Sequence, residues 1–228
     1  DYNMSMQILS IDTSGQILSI AILRKDVIEL SEYPAGKINS EKILPEIQAM
    51  MSRLSINFPD LDGIAFGAGP GSFTGIRIAS GIAYGIAYSL NIPIIGINTL
   101  EALATLFNSN YCISCIDARM SQVYIGAYQL NNGCITTISE PGLYDPETLP
   151  DISVTEATII GSGVRAYKNQ LEKKYKNMSH NFIEKEYPLA GVIGKLALPR
   201  MNKNFDLDQA KPIYIRNKVA QTILERNS

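Results

Sequence analysis

The chain has 228 residues, enough for one large or two small domains with a real core. Its formal net charge of −2 excludes a bulk electrostatic attraction to nucleic acid, so any RNA contact has to be local or supplied by a partner. Residues 1–5 are polar and Met6 begins a strand, so no secretory signal is evident; those five residues are an added segment or an alternative start. With three cysteines that show no pairing pattern, these features predict a cytoplasmic protein.

The first predicted elements form an antiparallel meander followed by a helix. The meander consists of a strand that ends at Asp12, a turn over 13–16, a strand over 17–24, a turn at Lys25 and Asp26, and a strand over 27–31. Asn39 or Ser40 then caps a helix in which Pro45 predicts a kink or a late start. The apolar side chains of this helix recur at helical spacing: Ile43, Leu44, Ile47, Met50, Met51 and Leu54.

The most distinctive stretch is the glycine-rich loop GAGPGSFTG, residues 67–75, which joins an apolar strand over 63–66 to a helix. Glycines that open a helix are typical of a phosphate cradle. A P-loop, however, needs Gly-Lys followed by Ser or Thr, and this loop has no lysine; Ser72 also stands where a dinucleotide fingerprint has its third glycine. The loop therefore favours a structural turn in which Ser72 or Thr74 caps the helix.

The helix after the loop is apolar nearly all round, and two ridges run along it. The large-residue ridge is Ile78, Ile82, Ile86 and Leu90, and the parallel small-residue ridge is Gly75, Ala79, Ala83 and Ala87, extended by Gly81 and Gly85. Arg77, the glycines and Pro93 interrupt the helix too often for a membrane span. Because a domain of this size rarely surrounds a helix completely, the pattern predicts a helix shared between its own sheet and a partner.

A second unit repeats the first. After a strand over 92–97 and a helix from Thr99 to about Phe107, residues 111–130 repeat the layout of residues 7–23, with Asp117 in the place of Asp12. A third strand over 134–139 completes a second meander. The repeat predicts two lobes of one α/β topology, over residues 6–98 and 99–204, each a mixed sheet flanked by helices; residues from about 205 to 228 are candidates for packing back on the first lobe.

The cysteines and the single histidine offer no catalytic or metal site. Cys112 and Cys115 form a C-x-x-C within a strand, where residues three apart point to opposite faces about 10 Å apart. That separation exceeds the roughly 7 Å reach of a disulfide, so both cysteines are expected to be structural. His180 lies in a polar stretch and is expected at the surface. We therefore expect no metal site and no Ser/His/Asp triad.

Two polar features leave alternatives open. A helix that opens at 161–163 and runs to about Lys176 carries basic side chains, which fit either an RNA contact or, more commonly, a solvated face: Arg165, Lys168, Lys173, Lys174 and Lys176. The duplicated strand–Asp–turn–strand unit is also the layout of actin and hexokinase folds, whose paired turns hold nucleotide phosphates and Mg²⁺. The residues of such a site would be Asp12, Thr13, Ser14, Asp117, Gly161 and Gly163. One interpretation of the two aspartates is that they serve an ATPase or a kinase. The other is that each aspartate at a strand end only forms hydrogen bonds within its own turn.

Three motifs together resemble the TsaB family: GPGSFTGIR over 69–77, IDAR over 116–119 followed by Val123 and Tyr124, and PIYIRN over 212–217. The resemblance covers residues 6–220 and implies a duplicated actin-like (ASKHA, ribonuclease H-like) α/β fold and a cytoplasmic protein. It further implies a non-catalytic subunit for threonylcarbamoyl transfer to adenosine 37 of tRNA. Such a subunit has no cofactor of its own, because ATP and Mg²⁺ serve the complex, and it meets tRNA only through the complex and no membrane.

The same resemblance implies partners and a docking surface. The partners are a catalytic TsaD-like paralogue, a TsaE-like ATPase and, when the chain is alone, a second copy of itself. The docking surface is formed by the first two helices, over 40–55 and 74–90, and its implied residues are Ile43, Ile47, Met50, Met51, Arg77, Ile78, Ala79, Ile82, Ala83, Ile86 and Ala87. TsaD carries metal-binding histidines where Thr99 and Leu103 stand, so a metallopeptidase site is lost here. Relatives often carry a histidine where this chain has Asn39, so a role of that histidine is in question.

Overall fold

The computed structural model describes residues 6–24, 27–34, 40–107, 109–131, 133–202 and 204–216. The predicted turn at Lys25 and Asp26, the cap at Asn39, the first five residues and residues 217–228 lie outside the described residues. The described part folds into two five-stranded mixed sheets with helices packed against them. The overall class is therefore α/β, as the sequence predicts.

The first sheet is built from β1 (Gln7–Asp12), β2 (Ile17–Arg24), β3 (Val27–Pro34), β4 (Gly63–Gly69) and β5 (Ile94–Asn98). The strand order is β3-β2-β1-β4-β5. The first three strands form the antiparallel meander, while β1, β4 and β5 pair in parallel. Strands β1 and β4 are almost continuously buried, as is typical of parallel strands covered on both faces.

Two helices cover one face of this sheet and complete what we call the first lobe. They are α1 (Ser40–Arg53), which contains Pro45, and α2 (Phe73–Leu90). Ser72 caps α2, because its side chain accepts a hydrogen bond from the Gly75 N–H at 3.3 Å. The helix ends at Asn91, whose φ of 52° is left-handed. The apolar faces of α1 and α2 and the facing side of the sheet form one hydrophobic core.

The second sheet repeats the first. Its strands are β6 (Tyr111–Arg119), β7 (Gln122–Asn131), β8 (Cys134–Tyr144), β9 (Glu156–Ile160) and β10 (Ser179–Ile183), in the order β10-β9-β6-β7-β8. A meander over β6, β7 and β8 and parallel pairs β6–β9 and β9–β10 reproduce the first topology. Helix α4 (Ser162–Lys174) covers one face of this sheet and completes the second lobe. The predicted duplication is confirmed.

Two helices lie between the sheets. They are α3 (Thr99–Ala104) and α5 (Ala190–Ala197), and both contribute to a core shared by the two lobes. The sequence assigned α5 to the second lobe, whereas it packs on the first sheet: the Ser10 hydroxyl donates to the Ala190 carbonyl at 2.6 Å, and the Ala190 N–H donates to the Ser19 hydroxyl at 3.0 Å. These two serines are fully buried and need such partners.

The remaining segments are short. Two 3-10 helices span Phe58–Asp60 and Pro146–Thr148. Residues 211–216 are extended without regular structure, and Phe205 and Ile213 pack against the core of the first lobe. None of the helices in the described ranges combines the length and the apolarity that crossing a membrane requires.

Candidate functional site

The glycine-rich loop packs directly onto the turn between β1 and β2. The Ser72 N–H donates to the Ser14 carbonyl at 2.7 Å, and the Thr13 hydroxyl donates to the Gly75 carbonyl. A Cβ at Gly71 would lie 2.5 Å from the Ser14 carbonyl oxygen, and one at Gly75 would overlap the Thr13 carbonyl oxygen. Both positions therefore need glycine for close backbone approach. The loop thus packs against one side of this turn, while Gly15 and Gln16 of the turn remain exposed.

Asp12 bonds this same turn. It is buried, and its Oδ1 accepts a hydrogen bond from the Ser14 N–H at 3.1 Å. Burial raises the pKa of Asp12 to about 6, with the negative charge of Glu186 adding to the effect and the hydrogen bonds of Ser14 opposing it. Among the described side chains, no cation forms an ion pair with Asp12. The geometry is that of an aspartate that stabilises its own turn.

Asp117 sits at the equivalent turn of the second lobe, with more partners. Its Oδ1 accepts from the Arg119 N–H at 2.9 Å and from the Tyr167 hydroxyl at 3.3 Å, and its Oδ2 lies 3.4 Å from the Arg119 guanidinium. The Asp117 N–H donates to the Ser162 hydroxyl at 3.0 Å. Gly161 has a φ of 122°, and a Cβ there would overlap the Cys115 carbonyl oxygen. The turn at 161–163 thus packs on the end of β6.

The two turns face one interlobe cleft of about 640 Å³. The cleft brings together Asp12, Ser14, Asp117 and Gly161, whereas Thr13 and Gly163 do not line it. Four cationic side chains also line it: Arg119, Arg165, Lys185 and Arg216. No cluster of three or more His, Cys, Asp or Glu side chains that could hold a metal ion occurs within the described ranges.

Most of the residues assigned to the docking surface lie inside the first lobe. Their exposed fractions are at most 7%, and all belong to its core: Ile43, Ile47, Met50, Met51, Ala79, Ala83, Ile86 and Ala87. This placement corrects the sequence-based assignment. The small-residue ridge faces the sheet because small side chains let a helix approach its own strands closely. Ile78 and Ile82 are only half-buried, and Arg77 is exposed.

The outward face of α2 borders an apolar groove against α1. The groove has a volume of about 360 Å³ and is lined by Leu44, Phe58, Gly81, Ile82, Gly85, Ile86 and Ser89. A Cβ added at Gly81 or Gly85 would meet no described atom within 4 Å. Leu44 is 44% exposed although it is large and apolar. The sequence feature that could have marked this groove is the pair of glycines, Gly81 and Gly85, in the middle of a long helix.

An aromatic cluster lies beside this groove on α2. Tyr84 and Tyr88 stack with ring centroids 5.8 Å apart, and Phe205 packs edge-on against both. At the start of the helix, the Arg77 guanidinium lies 3.6 Å from the centre of the Phe73 ring. The exposed face of α2 therefore combines glycines with aromatic and cationic groups.

The remaining candidate residues are buried or are engaged by neighbouring backbone groups. Cys112 and Cys115 are buried, and burial raises the pKa of the Cys112 thiol to about 12 and that of Cys115 further still. The Thr99 hydroxyl accepts from the Gly69 N–H at 3.1 Å, and Leu103 is buried. His180 is half-buried, and its Nδ1 lies 2.9 Å from the Met178 carbonyl oxygen.

Two mixed sheets of one topology, with cross-packed helices and a central cleft, define a duplicated actin-like α/β protein. Residues 34–220 match the family model described as TsaD, tRNA N6-adenosine threonylcarbamoyltransferase. Several curated relatives carry the name tRNA threonylcarbamoyladenosine biosynthesis protein TsaB. The chain therefore belongs to the TsaD family that the family model describes, and it resembles the relatives named TsaB.

The relatives differ in how much of the chain they cover. The Escherichia coli protein is 28% identical over 94% of this chain and 96% of its own length. The Buchnera aphidicola (Schizaphis graminum) protein is 41% identical over 59% of this chain and 66% of its own, slightly less than two thirds. The solved structure of YeaZ from Pseudomonas aeruginosa superposes with a TM-score of 0.76 at 26% identity, covering 92% of this chain and 99% of that one.

Proposed function

We propose that this chain is a non-catalytic scaffold and activator subunit for threonylcarbamoyl transfer to adenosine 37 of tRNA. In this role it binds a TsaD-like catalytic paralogue through the groove between α1 and α2. The names of its relatives support the pathway. The single observation that supports the docking surface is the pair of exposed glycines, Gly81 and Gly85, over free space in the middle of a long helix.

The energetics of these glycines support a partner. A glycine within a helix destabilises it by about 1 kcal/mol relative to alanine. Gly81 and Gly85 provide no close packing within the described chain that would offset this loss. One turn apart on the same face, they leave a smooth strip against which a partner helix can approach closely. The half-buried Ile78 and Ile82 and the exposed Leu44 supply apolar surface beside the strip.

The proposal assigns no catalytic residue to the chain. Both candidate aspartates are engaged by their own turns, and the glycine-rich loop occupies the space next to the Ser14 carbonyl. ATP and Mg²⁺ then belong to the complex, with a TsaE-like ATPase as a further partner and a homodimer as the form of the chain alone. We place this activity in the cytoplasm.

Contact with tRNA is proposed to be indirect. The basic helix α4 is largely neutralised, since Lys168, Lys173 and Lys174 lie 2.9, 3.8 and 2.6 Å from carboxylate oxygens of Glu184, Glu147 and Asp151. A helix whose cations are paired with carboxylates on neighbouring segments offers phosphates little net charge. These contacts favour the solvated-face interpretation of α4.

The docking surface is tested with Gly85→Arg. The side chain enters the groove without touching the core, so the variant should keep its circular dichroism and melting temperature. Binding to a purified TsaD-like paralogue, measured by calorimetry, should weaken by at least about 100-fold, because a charge is buried without a partner. Asn169→Arg on the exposed face of α4 adds the same charge to the other lobe and should bind normally. Undiminished binding by Gly85→Arg would place the docking surface elsewhere.

The scaffold function is tested by two activity measurements. Reconstituted tRNA modification should depend on adding this chain to the catalytic paralogue. The four cations of the cleft favour the alternative, an ATPase or kinase that uses Asp12 and Asp117. ATP turnover by the purified chain alone distinguishes the two functions: substantial turnover that Asp12→Asn abolishes would overturn the scaffold proposal.

A further inference from the structure

The segment over residues 209–216 runs along two strands of the first lobe, β4 and β5. The Gly96 N–H of β5 donates to the Gln209 carbonyl at 2.8 Å. The Ile213 N–H donates to the Ala68 carbonyl of β4 at 2.7 Å, and the Ile213 side chain packs in the core of that lobe. The first part of the segment is therefore fixed to the first lobe by backbone hydrogen bonds and apolar packing.

The segment next touches the first turn of α2. The Tyr214 ring lies 5.9 Å from the Phe73 ring, and the Arg77 Nε–H donates to the Tyr214 hydroxyl at 3.3 Å. From there the chain follows the cleft, which is lined by residues 213–216. Ile215 packs with the core shared by the two lobes.

Arg216 reaches the turn between β6 and β7 of the second lobe. Its guanidinium donates to the Gln122 Oε1 at 2.6 Å and to the Arg119 carbonyl at 3.4 Å. The turn is unusual, because Arg119, Met120 and Ser121 have φ values of 60°, 53° and 52°. Three consecutive left-handed residues without glycine persist only where surrounding contacts hold them. Arg216 supplies contacts at both ends of this run.

We propose that residues 209–216 form a strap that crosses the cleft and fixes the angle between the two lobes, with Arg216 as its latch on the β6–β7 turn. The strap is bonded to the first lobe through Gln209 and Ile213, and to the second through the Arg216 guanidinium. Releasing the latch lets the lobes pivot on the core that they share, while each sheet keeps its own structure. The inference does not depend on the proposed docking partner.

The interlobe distance provides a direct test, because the chain has one exposed cysteine, Cys134 in the second lobe, beside two buried ones. Ser52→Cys adds a second accessible thiol on α1 of the first lobe. With spin labels at these two positions, double electron–electron resonance reports the angle between the lobes. Arg216→Ala should shift the distance distribution to longer values and broaden it. A substitution in the part of the strap that does not contact the second lobe should leave the distance distribution unchanged.

Lys211→Ala is the matched control, since within the described residues this exposed strap cation pairs with Asp208, which immediately precedes the strap, and with no carboxylate of the second lobe. Gln122→Ala removes the side chain that accepts the hydrogen bond from Arg216 and should reproduce the shift in distance seen with Arg216→Ala. Agreement between the two variants excludes a folding defect of one variant as the cause. Hydrogen exchange over residues 116–124 should accelerate about tenfold in both latch variants. Unchanged distances and exchange in Arg216→Ala and Gln122→Ala would overturn the latch.

Discussion

The two lobes share one topology but use the turn after their first strand in different ways. In the first lobe the glycine-rich loop packs against the Asp12 turn, and the aspartate accepts a hydrogen bond from the backbone of that turn. In the second lobe the Asp117 turn, which lines the same cleft, is contacted by side chains instead: Arg119, Tyr167 and Arg216. The two lobes therefore have the same strand topology, whereas the turn after the first strand is contacted by backbone in one lobe and by side chains in the other.

The two turns differ because backbone packs against the first turn and side chains pack against the second. In the first lobe the covering element is backbone, and backbone can lie against backbone only where Cβ atoms are missing, as at Gly71 and Gly75. In the second lobe the corresponding helix start contributes the Ser162 hydroxyl, and longer side chains fill the remaining space. The first turn therefore positions α2, and the second turn receives the strap.

Among the substitutions that compare the two turns, an added Cβ at the close backbone contact of the first lobe should have the largest effect. In Gly75→Ala the new Cβ overlaps the Thr13 carbonyl oxygen, which is backbone and cannot rotate away. We expect a loss of roughly 3 kcal/mol in the free energy of unfolding, measured in urea. Gly81→Ala on the same helix meets free space and should gain about 0.5–1 kcal/mol. Equal tolerance of both substitutions would contradict the packing described for the loop.

The buried carboxyl of the first lobe gives a pH-dependent prediction. Asp12 has a pKa of about 6 in the folded chain against 3.8 as its ordinary value, so the folded state holds the proton to higher pH than the unfolded state. The contribution of Asp12 to the free energy of unfolding is therefore most favourable below about pH 4 and is lost as the pH rises through 6. Asp12→Asn keeps an oxygen acceptor for the Ser14 N–H and should stabilise the protein by about 2 kcal/mol above pH 7, with the difference vanishing near pH 4.

The equivalent substitution in the second lobe should have the opposite sign. Asp117→Asn loses the ion pair with Arg119, whose side chain is 74% exposed, so a destabilisation of at most about 1 kcal/mol is expected at pH 7. Urea unfolding of both variants in one buffer series compares the two turns directly. A stabilising Asp117→Asn or a destabilising Asp12→Asn at pH 7 would reverse the assigned roles.

Much of the fold could be predicted because the sequence repeats itself. The apolar strands, the terminal aspartates and the polar turns recur in order, and they located both meanders and most strand starts, whereas the ends of β3, β4 and β8 lie three to five residues beyond the predicted ones. Strand β10 was missed because Ser179–Ile183 places three polar residues before two apolar ones, without the alternation of a half-buried strand, at the edge of the sheet. Strand β8 runs on to Tyr144, five residues past the predicted end, since an edge strand tolerates Pro141.

The orientation of α2 could not be predicted from its periodicity. Large and small apolar residues form two parallel ridges, and a pattern of spacing alone does not say which ridge meets the sheet. Packing decides it: Ala79, Ala83 and Ala87 let the helix approach the strands, which leaves Gly81 and Gly85 outside. Ala83→Arg should consequently unfold the first lobe, whereas Gly85→Arg should not.

The smallest predicted effect concerns Tyr167, whose side chain contacts the turn between β6 and β7 in the second lobe. The Tyr167 hydroxyl lies 3.3 Å from the Asp117 Oδ1 and 3.2 Å from the Gln122 carbonyl oxygen, so it links the aspartate to the turn that receives Arg216. Tyr167→Phe removes this link without changing the ring and should cost about 0.5 kcal/mol in urea unfolding. Tyr88→Phe, whose side chain is 66% exposed, is the matched control and should change little. A loss as large as that of Gly75→Ala would mean that the second turn depends on one hydroxyl as strictly as the first depends on its glycines.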